Sequence, residues 1–207
     1  MKVRMLGISS SPRLKGNSDL LLRQALSGAE SAGAVVEYIS LSNLKIAPCT
    51  ECNFCYETGK CKIEDDYQMV SAKMLDADRL IFATPVFFMT VCSQAKALID
   101  RCQCLWACKY VLKKPLMTSA GRDRRAMVIA VGGSKSKKMF ESIRLTMKSY
   151  FDILDLHYVS NLFVNRINDA GDIEKHPTAM KEAHRLGSEL VTVDTLPLNK
   201  PIDVELT

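Results

Sequence analysis

The sequence predicts an α/β fold in which five parallel strands form a doubly wound sheet with helices on both faces. Two features of the pattern carry this. Short apolar runs alternate with helix-period segments from end to end, and the runs are near-continuously apolar, as strands buried on both faces require. A third is composition: with 47% hydrophobic and 25% charged residues over 207 positions, the chain can bury one full core with length left for an insertion.

The first strand runs from Val3 to Ile8 and opens into the polar loop Ser9 to Gly16. Leu22, Ala25, Leu26 and Ala29 then fall at i, i+3, i+4 and i+7, one face of a helix, with Asn17 or Ser18 as its N-cap and Gly33 as the C′ residue that ends it. The second strand spans Val35 to Leu41. Residues 42–64 break the alternation: they hold Pro48, four cysteines and little periodicity, and read as a loop insertion after strand two. Helix-period segments at 65–76, 92–110, 137–152 and 177–192 surround the later strands, Arg79 to Thr84, Ala126 to Val131 and His157 to Val164. Residues 1–193 thus make one domain, and 194–207, with two prolines and no helix period, an extended tail or an arm that wraps a partner. In such a sheet, ligands bind at the carboxyl ends of the strands.

Several function classes are disfavoured. The formal charge of +5 is modest and its basic residues are dispersed, without an aromatic-interleaved stripe, so nucleic acid is not the expected partner. No window approaches the roughly 18 uninterrupted apolar residues of a membrane span, and Met1 to Gly7 reads as a first strand rather than a signal-peptide core. A cytoplasmic location is expected, where eight cysteines bind metal or do chemistry rather than form a disulfide framework. His157, His176 and His184 are scattered, and no Ser/His/Asp order or paired acids indicate hydrolysis. The run Arg122-Asp123-Arg124-Arg125 and Lys135, Lys137 and Lys138 flank strand four; a solvated face is the default, with an NADPH 2′-phosphate or an acidic electron-transfer partner the functional alternative.

The loop Gly7 to Ser18 joins strand one to helix one, and its chemistry suits a phosphate monoester. Hydroxyls, small residues and backbone amides can surround the oxygens, the helix amino terminus adds a favourable dipole, and Arg13 adds charge at the rim. It lacks both the G-x-G-x-x-G dinucleotide fingerprint and the Walker pattern, which disfavours a nucleoside triphosphate.

Cys49, Cys52, Cys55 and Cys61 form C-x2-C-x2-C-x5-C inside the insertion. Three cysteines at two-residue gaps can wrap one cubane, with a nearby fourth closing it. Zinc prefers two separated pairs, which is not this layout, although zinc and unligated thiols are the alternatives that spacing leaves open. Cys92, Cys102, Cys104 and Cys108 lie on the helix before Tyr110 and read as buried free thiols; Cys102 and Cys104 point to different sides of a helix, whereas Cys104 and Cys108 are placed to share a metal.

The S-S-P-R-x-x-G-N-S segment after strand one resembles the FMN-phosphate loop of the NADPH-dependent FMN reductase and iron–sulfur flavoprotein families. Thr84-Pro85-Val86-Phe87-Phe88 and Gln94-Ala95-Lys96-Ala97-Leu98-Ile99-Asp100-Arg101 are similar to their T-P-V-Y-F and Q-x-K-x-F-I-D-R segments, with Phe87 where the family often has Tyr. Val131-Gly132-Gly133-Ser134 matches their glycine-rich loop. The resemblance covers about residues 1–165 and implies a flavodoxin-like sheet of order 2-1-3-4-5. It implies FMN held by Ser9, Ser11, Arg13, Asn17, Ser18, Thr84, Pro85, Val86, Phe87, Phe88, Gly132 and Gly133. It also implies a four-iron four-sulfur cluster on Cys49, Cys52, Cys55 and Cys61. The function that follows is a flavin-dependent oxidoreductase moving electrons from a donor such as ferredoxin or NAD(P)H to a small acceptor such as a quinone, oxygen or peroxide. A homodimer or homotetramer built around residues 49–61 and 88–110 is expected. The alternatives are an NAD(P)H-dependent FMN or quinone reductase without a functional cluster, and a zinc-stabilised redox-sensing module.

Overall fold

Successive residues of a strand face opposite sides of the sheet, and in this chain both sides are apolar. The core is therefore two layers. Met5, Ile81, Ala83, Met127 and Ile129 belong to one, while Leu6, Ile8, Leu80, Phe82, Ala126 and Val128 belong to the other. The computed structural model describes residues 2–116 and 121–207.

The strands are β1 (Arg4–Ser9), β2 (Val35–Ser40), β3 (Arg79–Phe87), β4 (Thr90–Val91), β5 (Arg125–Val131), β6 (His157–Val164) and β7 (Ile202–Leu206). They form one sheet ordered β2-β1-β3-β5-β6-β7, parallel throughout, with the short β4 antiparallel to the end of β3. The expectation of five strands in the order 2-1-3-4-5 is thereby corrected to seven. Its five strands are present in the expected neighbourhood, and the sheet gains β7 and β4. The tail supplies β7: Ile202 to Leu206 is extended, but it pairs in parallel with Ser160 to Val164 of its own chain. Arg144 fastens it by bonding Asp203 (3.0 Å) and Glu205 (2.5 Å).

Helix α1 (Asn17–Ser31) and α8 (Ala179–Thr192) cover one face of the sheet, preceded by the short α7 (Asp172–Lys175). They approach closely because Gly28 and Gly187 carry no side chain: a Cβ on Gly28 would overlap the His184 carbonyl, and one on Gly187 the Ala25 carbonyl. Helices α3 (Tyr67–Asp76), α4 (Ser93–Arg101) and α6 (Glu141–Ile153) cover the other face, while α2 (Phe54–Thr58) lies in the cysteine loop. The long segment expected at 92–110 is instead α4, α5 (Gln103–Trp106) and one wider π-type turn, Ala107–Val111. Gly33 does end α1, at φ +91°, but the N-cap is Gly16, without a side-chain cap, rather than Asn17 or Ser18.

The Arg122–Arg125 run is not the solvated face expected from its charge. Arg124 and Arg125 are buried at the amino end of β5. Arg124 donates to the carbonyls of Ala77 (2.9 Å), Leu154 (2.5 Å) and Met74 (2.6 Å), joining the ends of α3 and α6. No helix among the described residues is long and apolar enough to cross a membrane.

Candidate functional site

The carboxyl ends of β1, β3 and β5 lie side by side, since Ser9 pairs with Ala83 and Pro85 with Val131. The loops leaving these ends enclose a pocket lined by Ser11, Arg13, Asn17 and Ser18 on one side and by Pro85, Val86, Phe87, Gly132 and Gly133 on the other. Nine of the residues expected to hold a cofactor thus converge on one cavity. Ser9 and Thr84 are buried beneath it, and Phe88 is fully exposed at the tip of the β3–β4 hairpin. Phe88 and Met89 occupy the two turn positions at φ 47° and 66°, where Asn-Gly would be at ease.

The phosphate side of the pocket is pre-formed by short-range bonds. Ser11 Oγ donates to the Arg13 carbonyl (2.9 Å) and accepts the Arg13 amide (3.2 Å), while the Gly16 amide closes on the same carbonyl (3.1 Å). A Cβ at Gly16 would stand 2.5 Å from Ser11 Oγ, so the loop folds this tightly only around glycine. Asp19, in the first turn of α1, accepts the Lys15 amide (3.2 Å), holding Lys15 at φ 58°. The Ser18 hydroxyl lines the pocket, is buried and lacks a partner in the protein, and the start of α1 has no side-chain cap. An unmet hydroxyl, uncapped amides and Arg13 together fit a phosphate group.

Asn17 has a further part. Its Oδ1 accepts the amides of Gly171 (3.0 Å) and Ile173 (3.4 Å), and its Nδ2 donates to the Asp169 carbonyl (2.8 Å). It ties the loop after β6 to the phosphate loop, and that loop brings Ile167 and Asn168 into the pocket. These two were not singled out from the sequence, although their place just past a strand's carboxyl end was the available signal.

A second cavity lies in the 44–66 segment. Cys49, Cys52, Cys55 and Cys61 all line it, with Ile99, Arg101 and Cys104 from α4 and α5 and Ile153 from α6. The loop turns sharply through Glu51, Asn53 and Gly59, all in the left-handed region, and these bends bracket α2, leaving Cys55 buried, Cys61 half-buried and Cys49 and Cys52 exposed at the cavity. Burial pushes the Cys55 thiol up, and the sulfurs of Cys49, Cys52 and Cys61 push it further; the Cys52 thiol is held down by the Phe54 amide. Among the described residues, no three His, Cys, Asp or Glu side chains stand at single-ion spacing. A soft, all-sulfur donor set is chemistry that fits an iron–sulfur cluster, and it also fits zinc. Of the remaining thiols, Cys92 donates to the Ser10 carbonyl (3.0 Å), Cys102 is buried, and Cys104 meets the Tyr67 hydroxyl (3.2 Å) at the cavity wall. Cys102 and Cys104 both approach Tyr67, while Cys108 sits apart near the Lys114 carbonyl.

Comparison with known proteins gives consistent matches. The family model described as NADPH-dependent FMN reductase matches residues 3–170. An iron–sulfur flavoprotein of Methanocaldococcus jannaschii is 44% identical over 99 residues, covering 48% of this chain and 51% of that one. The matched stretch thus spans about half that relative's length. A second iron–sulfur flavoprotein of the same organism is 34% identical over 155 residues, covering 74% of this chain and 73% of the relative. Among solved structures, an NAD(P)H:quinone oxidoreductase from Methanothermobacter marburgensis superimposes with a TM-score of 0.70 at 18% identity, covering 92% of this chain and 96% of that one. At that identity the likeness is one of fold.

Proposed function

The chain belongs to the NADPH-dependent FMN reductase family, on the iron–sulfur flavoprotein side of it, and from that premise we propose that it is an FMN- and iron–sulfur-dependent oxidoreductase. It takes electrons from a one-electron donor such as ferredoxin and delivers them to a small acceptor such as a quinone, oxygen or peroxide. The observation that carries this reading is the convergence of Cys49, Cys52, Cys55 and Cys61 on one cavity, in a chain that also holds a phosphate-fitting pocket.

When bound, FMN supplies one- and two-electron chemistry and the cluster single-electron transfer. The residues bind, orient and exclude water. Ser11, Arg13, Ser18 and the start of α1 take the phosphate, while Pro85 to Phe87 and Gly132–Gly133 present close backbone to a flat ring. Thr84 donates to the Pro85 carbonyl (2.9 Å) and accepts the Cys92 amide (3.4 Å), fixing the end of β3 that would help hold the flavin. The exposed Phe87, Phe88 and Met89, with Tyr110 and Val111, offer an apolar surface to a second copy of the chain in a homodimer or homotetramer.

The family match supports a second reading, in which NAD(P)H reduces the flavin directly and the cysteines are secondary. Anaerobic quinone reduction driven in parallel by reduced ferredoxin and by NADPH separates the two. The first reading expects ferredoxin-driven turnover that Cys55→Ala abolishes. Turnover with NADPH alone, indifferent to Cys55→Ala, favours the second.

A further inference from the structure

Arg101, the last residue of α4, is completely buried at the base of the cysteine loop. A guanidinium carries five N–H donors, and four of them are used. Nη1 donates to the Ala47 carbonyl (2.9 Å) and to Asp65 Oδ2 (2.7 Å), and Nη2 to the Ile63 carbonyl (2.9 Å) and Asp65 Oδ1 (3.1 Å). Ala47 and Ile63 each lie two residues outside the first and last cysteines of the motif, so one side chain grips both ends of the ligand-bearing segment. Asp65 completes the grip by accepting the amides of Ala47 (2.9 Å) and Tyr67 (2.9 Å), and the guanidinium lies over the Tyr67 ring at 4.7 Å. All of these bonds are made between protein groups.

The fifth donor, Nε–H, is buried and has no acceptor in the protein. A buried donor left unmet calls for an explanation. Arg101 and Cys61 line the same cavity, so the guanidinium and the Cys61 sulfur face a shared space. A neutral thiol is a weak acceptor, whereas a thiolate on iron is a strong one.

We propose that Arg101 is the positioning residue of the cysteine site: it clasps the two ends of the loop before metal binds, and keeps Nε–H for the Cys61 sulfur once that sulfur ligates iron. The second half rests on the cluster reading given above; the first stands on the protein alone. A hydrogen bond to a ligating sulfur favours the reduced, more negative cluster and raises its potential. Lysine cannot reproduce this, because one ammonium cannot span two carbonyls, a carboxylate and a sulfur in fixed geometry.

The test uses Arg101→Lys and Asp65→Asn in the flavin-loaded protein, with FMN affinity as the control for folding. Amide hydrogen exchange is measured before cluster assembly. The cluster potential is measured after anaerobic reconstitution with iron and sulfide. Arg101→Lys should speed exchange across residues 48–62, move the potential to more negative values and leave FMN affinity unchanged. Asp65→Asn should speed the same exchange but move the potential less, since Nε–H remains. Wild-type exchange and wild-type potential in Arg101→Lys would overturn the proposal. Should Arg101→Lys fail to hold flavin, wild-type loop exchange in Asp65→Asn contradicts the clasp by itself. A wild-type protein that takes up no iron or sulfide removes the cluster reading and the donor role with it, while the exchange data still decide the clasp.

Discussion

Tyr38 donates a 2.6 Å hydrogen bond to Asp19, and through it the second strand steadies the base of the phosphate loop. Arg23 adds a bond to the same carboxylate (3.0 Å) and lies over the Tyr38 ring at 4.1 Å. Burial works to raise the Asp19 pKa, yet the bonds from Tyr38 and Arg23 outweigh it and hold the carboxyl below its usual range.

The sign of the pH dependence follows. A carboxylate whose folded pKa lies below its unfolded value contributes fully above the unfolded value, and the contribution fades as pH falls through the folded one. Asp19→Asn should therefore lower stability near neutrality by about 2 kcal/mol, with the gap to wild type closing at acid pH. Urea melts across pH 3 to 7 measure both. A constant gap at all pH values would show that the loss is not ionic.

The phosphate loop depends on Gly16. Gly16→Val puts a branched side chain where even a Cβ meets Ser11 Oγ at 2.5 Å, so FMN affinity should fall tenfold or more, a loss of at least about 1.4 kcal/mol. Fluorescence titration with FMN checks this, and iron uptake at the cysteine loop should be unchanged.

Arg124→Met should be among the most damaging single changes outside the sites. It leaves the carbonyls of Ala77, Leu154 and Met74 without their donor, at about 1–3 kcal/mol for each buried group left unmet. Thermal unfolding reads the effect, and Arg122→Met, at the half-buried end of the same run where the side chain pairs with Asp78, should cost less.

Removal of residues 197–207 strips β7 from the sheet and exposes the edge of β6. The truncated chain should unfold at lower temperature and self-associate in light scattering. An unchanged melt would mean that β7 adds little to the folded state.

Much of this was legible in the sequence, for reasons the structure makes plain. The four inner strands, β1, β3, β5 and β6, announce themselves because each is apolar on both faces, and the cysteine spacing announces its cavity because all four thiols come from one short loop. Ile202–Leu206 did not read as a strand, because Pro197 and Pro201 precede it and its alternating residues pack only at a sheet edge. Arg101 and Arg124 were equally hidden. Their acceptors lie from 30 to 54 residues away in sequence, and only the assembled fold turns a charge run into a buried clasp. Asn17 was singled out for the phosphate, but its side chain is spent on Asp169 to Ile173, a contact across 152 residues that no local pattern contains.

The central claim is that one chain holds both a flavin and a cluster on its four loop cysteines. The most direct measurement is flavin, iron, acid-labile sulfide and zinc on one anaerobically prepared sample, alongside Cys52→Ala. The account predicts about four irons and four sulfides per flavin, with iron and sulfide lost and flavin kept in the variant. Flavin without iron, or one zinc without sulfide, would contradict it.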